Sequence, residues 1–329
     1  MDTLRTIDTF LRQRGWIQPE NADIDIQFLA AGEYNANYLV TTDGGAKRCV
    51  FRINHGSQLG LGDAQIEYEF AVLRALEHSG VTPRPLACDA SAAREGLGRG
   101  ALLMEYLPGR PLDYTRDTDA AARIFAAVHS QPVSDALIVQ ANPVRDIADE
   151  SLGLITRYAD HPRPDLKGQL LRYHDAIRAL ADDAEALFAQ DPMVIVNTEV
   201  NSHNFIVGDE GNAWLVDWEK AVVSSRFQDI GHFLVPTTTL WKTKHRYTAE
   251  QKQDFVAAYL RHAGLAMPID DAMYRADLME RTILLRAMSW CYMAYHEYTR
   301  SDRALTNDHT FTTIQNYLDN MECFFARTA

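Results

Sequence analysis

Three oxygen-bearing side chains, Glu199, Asn204 and Asp217, stand close together in the chain, within VIVNTEVNSHNFIV at 194–207 and WLVDWEKA at 214–221. Phosphoryl transfer needs a carboxylate near the acceptor hydroxyl and oxygen ligands for Mg²⁺ on the phosphates, and these residues supply those types. Upstream, Gly32-Glu33-Tyr34-Asn35 lies between apolar stretches and reads as a hairpin tip. Its backbone N–H groups can approach phosphate oxygens, although an ordinary turn has the same signature. Other chemistries lack their motifs: there is no GxxxxGK[ST], HExxH, GxSxG or EF-hand loop. Gly60-Leu61-Gly62 and the glycines at 96, 98 and 100 have no third glycine in dinucleotide register and read as surface loops. His129, His203, His232 and His296 show no metal-ligand spacing, although His203 sits beside Asn204. Cys49, Cys88, Cys291 and Cys323 form no CxxC pair and read as buried thiols.

The elements that must position these groups change character along the chain. Leu4, Ile7, Phe10 and Leu11 form a helical stripe ending at Gly15. Ile24, Ile26 and Phe28 alternate as in a half-buried strand, and Tyr38 to Val40 and Val50 to Ile53 predict two more, joined by a turn at 43–45. A helix is expected over 63–79 and strands over 85–88 and 101–106. Helical periodicity then dominates at 118–130, 144–158, 166–190, 249–263, 270–299 and 309–326, interrupted by short strands within 193–217. The fold class is therefore α+β, with residues 1–108 as a small antiparallel-sheet lobe and 109–329 as a mostly helical one.

Composition agrees with a folded chain of 329 residues: 47% are apolar and 23% charged. The net charge of −13 argues against a nucleic-acid surface and an anionic membrane. No apolar run approaches the ~20 residues of a membrane span, and the N-terminus lacks a signal h-region, so a cytoplasmic protein is expected. Charge is shared unevenly, −4 over residues 1–108 and −9 over the rest, which slightly favours a cationic or amine-bearing acceptor.

Six segments, LAAGEYNANYLV (29–40), FRIN (51–54), EYEFAVLRAL (67–76), LLMEYLPG (102–109) and the two acidic segments above, resemble in order and spacing the aminoglycoside phosphotransferase and choline kinase family. The resemblance runs from about residue 24 to 235 and implies a protein-kinase-like, two-lobed enzyme using ATP and Mg²⁺. It implies that Gly32, Glu33, Tyr34 and Asn35 meet the phosphates, and that Arg52 holds them where protein kinases use lysine. It also implies an ion-pair partner for Arg52, Glu69 with Glu67 as the competitor, and adenine recognition by the connector at Glu105, Tyr106 and Leu107. Glu199 would stand for the catalytic Asp, Asn204 and Asp217 would ligate the metal, and Asp229 would brace the loop.

The catalytic loop departs from the family's His-Gly-Asp, reading Asn197-Thr198-Glu199. The longer Glu199 reaches roughly 1 Å further, enough to change rates by on the order of 10²-fold. The sequence therefore leaves open three readings: transfer of the γ-phosphate to a small-molecule hydroxyl, a silent nucleotide-binding protein, or nucleotidyl transfer. Trp290, Tyr292, Tyr295 and Tyr298, with Glu297, Asp302 and Asp308, suggest either an aromatic, acidic wall for an amine or helix packing. Trp241 and 236–240 are further candidates for the acceptor site.

Overall fold

The computed structural model describes residues 3–18, 23–300 and 308–326, and the side chains of all these except 308 and 309. Asp302 and the Asp308 side chain lie outside it. Contacts divide the chain into two units. The first comprises Met1–Pro111, Ser130–Ile138 and Asn204–Ala221; the second comprises Leu112–His129, Val139–His203 and Val222–Ala329.

In the first unit, five strands β1 (Asp25–Ala31), β2 (Asn35–Thr42), β3 (Lys47–Asn54), β4 (Pro85–Asp89) and β5 (Gly100–Glu105) form an antiparallel sheet ordered β1-β2-β3-β5-β4. Period-two alternation along β3 places Phe51 and Ile53 in an apolar core with Ile7, Phe10 and Leu11 of helix α1 (Thr3–Gln13). Arg52 and Asn54 consequently face the other way. Helix α2 (Gln65–Ala75) buries Ile66, Glu69, Val72 and Leu73 along one stripe, while Glu67 is exposed. The stretch expected as a surface loop at 96–100 instead closes over β3. Leu97 joins the core, and a Cβ on Gly98 (φ +58°) would stand 2.1 Å from the Asn54 carbonyl oxygen. A second, small sheet pairs β6 (Arg110–Pro111) with β8 (Phe205–Val207) and β8 with β9 (Ala213–Leu215).

The second unit is helical apart from the short pair β7 (Val194–Val196) and β10 (Val222–Ser224). Its 30-residue helix α10 (Ile269–Tyr298) packs against α4 (Pro143–Thr156), α5 (Pro164–Ala179), α7 (Phe227–Leu234), α9 (Ala249–His262) and α11 (Asp308–Asp319). Helix α3 (Thr118–His129) packs on α9, and α8 (Pro236–Lys242) and α12 (Met321–Phe325) complete the unit. The single helix expected over 166–190 is two, because Leu180 turns the chain with an N–H to the Ile177 carbonyl before α6 (Ala181–Phe188). Ile177, Ala181, Ala184 and Phe188 stay on one buried face across that break, so apolar periodicity runs through it unaltered. Among the described residues no helix is long and apolar enough to cross a membrane. Of the four cysteines only Cys291 is fully buried; Cys323 is exposed at the C-terminal end, where the expected helix breaks at Asn320.

Glu280 on α10 is buried beside Lys252, and burial pushes its carboxyl up from 4.5 to about 7 against the pull of that lysine. The folded protein thus keeps a proton that the unfolded chain releases at lower pH. This contribution to stability is full below about 4.5 and is lost as pH rises through about 7. Glu280→Gln is expected to abolish that fall, read as a smaller difference between urea midpoints at pH 5 and pH 8.

Candidate active site

The first unit buries one arginine between carboxylates. Arg52 is 4% exposed; its Nη1 donates to Glu69 Oε1 at 2.6 Å and Asp217 Oδ1 at 3.0 Å. Nε donates to Asn37 Oδ1 at 2.9 Å, Asn37 being the residue opposite Arg52 in the β2–β3 ladder. Among the described residues none accepts from Nη2, which leaves a forked pair of N–H groups for an anion. Helix phase settles the partner: Glu69 lies on the buried stripe of α2 and Glu67 does not. Burial opposes the Arg52 charge, but Glu69, Asp217 and Glu219 outweigh it and hold the guanidinium pKa above its ordinary value. Burial also lifts the Glu69 carboxyl, against the attraction of Arg52.

The β8–β9 ladder brings Asn204 and Asp217 to one end of a sheet. Phe205 faces Leu215, and the Val216 N–H donates to the Asn204 carbonyl at 2.8 Å, so Asp217 follows one residue beyond. Asp217 takes a positive φ of 66°, a conformation that its short polar side chain tolerates better than most. Carboxylate oxygens of Asp217 and Glu219 lie within 4.8 Å of each other. Two like charges this close favour a cation, and the oxygen-only donor set of Asp217, Glu219 and Asn204 suits Mg²⁺.

The hairpin tip at 32–34 is closed by the Gly32 N–H on the Asn35 carbonyl at 2.9 Å, and the His55 N–H holds the Tyr34 carbonyl at 2.6 Å. Gly32 is exposed and Glu33 half-buried, whereas the Asn35 side chain is buried and donates to Glu219. Tyr34 lies against Gly56, where a Cβ would come within 2.4 Å of the ring. In the expected connector, the Glu105 N–H is committed to the Arg84 carbonyl at 2.9 Å, and the Glu105 side chain pairs with Arg84. Tyr106 and Leu107 follow the last β5 ladder pair; the Arg48 guanidinium lies 4.9 Å from the Tyr106 ring centre, and Leu107 is buried.

In the second unit, Asp229 at the start of α7 is fully buried and accepts from the Asn197 N–H at 2.9 Å and the Thr198 N–H at 2.8 Å. His129 stands 3.4 Å from the same carboxylate and 3.0 Å from the Tyr259 hydroxyl. Burial lowers the His129 pKa against the influence of Asp229. Arg286 Nη2 donates to the Thr198 carbonyl at 2.8 Å, so the two peptides flanking Thr198 are each held. The Asn197 side chain accepts the Glu199 N–H at 3.0 Å, which orients the start of the Glu199 residue. Thr198 has φ +68°, where a β-branched residue is strained by about 1–2 kcal/mol. Thr198→Gly is therefore expected to raise the urea midpoint, by a stability gain of about 1 kcal/mol.

Arg286, Glu219, Asn37 and Asn54 did not emerge from the sequence. Arg286 left a usable signal, a lone cation in the apolar run Ile283-Leu284-Leu285 to Met288. Glu219 stands two residues after Asp217, a carboxylate pair inside one apolar-flanked segment. The aromatic residues of the second unit are engaged with each other. Tyr292 stacks on His161, Tyr298 on Phe311, and Trp241 contacts both Trp290 and Tyr317. Glu297 accepts from the Tyr158 hydroxyl at 2.8 Å.

The sequence pattern of the phosphotransferase enzyme family matches residues 25–274. The chain belongs to that family. No curated protein matches its sequence. Among solved structures, an ethanolamine kinase of Plasmodium vivax superposes with a TM-score of 0.66 at 13% identity, over 98% of this chain and 88% of that one. A choline kinase of Cryptosporidium parvum gives 0.65 at 15% identity, over 98% and 97%. A spectinomycin phosphotransferase in complex with ADP and spectinomycin gives 0.56 at 15%, over 93% and 94%. At these identities the likeness is one of fold, and the phosphotransferase family fold here is the protein-kinase-like α+β architecture that the motif order implied.

Proposed function

We propose that this member of the phosphotransferase family moves the γ-phosphate of ATP to a hydroxyl of a small molecule. The observation that carries the reading is Arg52 joined at once to Glu69 and Asp217, with two N–H groups left to meet phosphate oxygens. Bound Mg²⁺ would supply charge neutralisation on the phosphates, and Asp217 and Asn204 would hold it. Gly32, Glu33 and Tyr34 would cover the phosphates with backbone N–H groups, and Tyr106 and Leu107 would meet the adenine. Glu199, its N–H fixed by Asn197, would orient or deprotonate the acceptor hydroxyl. An amino alcohol, aminoglycoside or sugar-like acceptor is consistent with relatives named for ethanolamine, choline and spectinomycin, and the acidic excess tilts towards an amine.

A second reading, a nucleotide-binding protein without turnover, is favoured by strained Thr198 and by Glu199 in place of Asp. Phosphorus NMR of ATP, Mg²⁺ and a panel of amino alcohols, aminoglycosides and sugars separates the readings. Acceptor-dependent ADP supports the kinase, pyrophosphate together with an adenylylated acceptor indicates nucleotidyl transfer, and unchanged ATP across the panel supports the silent protein. Glu199→Asp, which draws the carboxylate back by roughly 1 Å, is expected to slow the kinase by on the order of 10²-fold. A faster Glu199→Asp enzyme would refute that geometry.

A further inference from the structure

A chain of two buried amides ties the β1–β2 hairpin tip to the turn after β9. Asn35, 5% exposed, donates through Nδ2 to Glu219 Oε2, and its Oδ1 accepts from Asn54 Nδ2 at 3.0 Å. Asn54, fully buried at the end of β3, also gives Nδ2 to the Gly56 carbonyl at 2.8 Å. Its own carbonyl takes the Arg99 N–H at 2.7 Å, which anchors it to the loop before β5.

The orientation of each amide follows from the ends of the chain. A backbone carbonyl can only accept, so Asn54 must present its NH₂ to Gly56. The second proton of that NH₂ then requires an oxygen, which Asn35 supplies. Asn35 is thereby left with its own NH₂ directed at Glu219, whose Oε2 accepts it. The Glu219 main chain is pinned as well, its carbonyl accepting from Gln65 Nε2 at 2.7 Å. Asn54 Oδ1 meanwhile lies buried without a hydrogen-bond partner. An unsatisfied acceptor of this kind calls for a reason outside Asn54 itself, and the fixed direction of the Asn35 amide is one.

We infer that Asn35 and Asn54 are positioning residues that aim the Glu219 carboxylate beside Asp217 before nucleotide arrives. The inference rests on the nucleotide-binding reading above. The sequence offered Asn35 to the phosphates through its backbone, and the side chain has this separate role on a carboxylate. The hairpin tip and the acidic turn are consequently set by one hydrogen-bonded unit, and Asn54 acts only through Asn35.

Calorimetric titration of the full chain with ADP, with and without Mg²⁺, tests this on wild type, Asn35→Ala, Asn54→Ala and the double variant. Each single variant is expected to weaken Mg²⁺–ADP binding by about 10-fold or more, the usual effect of removing a residue that orients a metal ligand. Binding of metal-free ADP should change little, and Asn54→Ala should add nothing once Asn35 is gone. Should Asn54→Ala melt early, Asn54→Ser takes its place, and Asn35→Ala on the hairpin tip still carries the comparison. Variants that bind Mg²⁺–ADP like wild type overturn the positioning role and leave the kinase reading standing. Equal losses with and without Mg²⁺, or additive losses in the double variant, also overturn it. A wild type that binds no Mg²⁺–ADP overturns both.

Discussion

Asp217→Ala is expected to lower acceptor-dependent ADP formation by at least about 10²–10³-fold, the scale on which a single charge-stabilising group acts in a preorganised site. Two consequences combine. The proposed magnesium ligand is lost, and Arg52 loses the more exposed of its two carboxylate contacts, Asp217 being 28% exposed where Glu69 is 1%. The guanidinium keeps Glu69 and Asn37, so the sheet and α2 should hold and the melting temperature should move little. Asp217→Asn makes the comparison sharper, because its amide oxygen can still accept from Arg52 while the charge is gone. If charge on the metal side is what matters, Asp217→Asn should be nearly as slow as Asp217→Ala in a coupled ADP assay. Activity within tenfold of wild type in both variants would remove Asp217 from the site.

Asp229→Ala is expected to destabilise the second unit by about 2–6 kcal/mol, about 1–3 for each of the two buried backbone N–H groups it serves. Its carboxylate accepts the N–H groups of Asn197 and Thr198 and stands beside His129, and the side chain is inaccessible to solvent. Removing it takes away the carboxylate that receives two backbone donors. Thr198 then loses the acceptor of its N–H while remaining at positive φ, so its strain is less over-determined by the surroundings. Urea denaturation checks the stability term. A loss below 1 kcal/mol would mean that the loop finds other acceptors. Asp229→Asn should fall between, since an amide oxygen can serve one N–H but its NH₂ confronts the other.

Much of this arrangement was legible in the chain because it rests on short-range periodicity. Alternation in β3 put Arg52 on the face opposite Phe51 and Ile53, and the helical stripe of α2 favoured Glu69 over Glu67; both follow from side-chain direction in regular elements. The order of segments likewise carried the protein-kinase-like fold. Periodicity was blind where hydrogen bonding shifts without changing the buried face, as at Leu180 between α5 and α6. It was also blind to Thr198, since a residue's name does not disclose the backbone angle that its neighbours impose.

The sequence alone determined the α+β class, the family and the types of group available: Arg52, Glu69, Asn204 and Asp217 on predictable elements, and an atypical Asn197-Thr198-Glu199 loop. Tertiary structure decided how those groups are spent. It grouped residues 204–221 with the N-terminal sheet, gave Arg52 two carboxylates, turned Asn35 towards Glu219, and held the N–H of Thr198 by Asp229 and its carbonyl by Arg286. The physical reason is range. Side-chain direction repeats every two or 3.6 residues and can be read locally. The partner of a buried polar group is instead whichever donor or acceptor packing brings within about 3 Å, here up to 184 residues away in the chain.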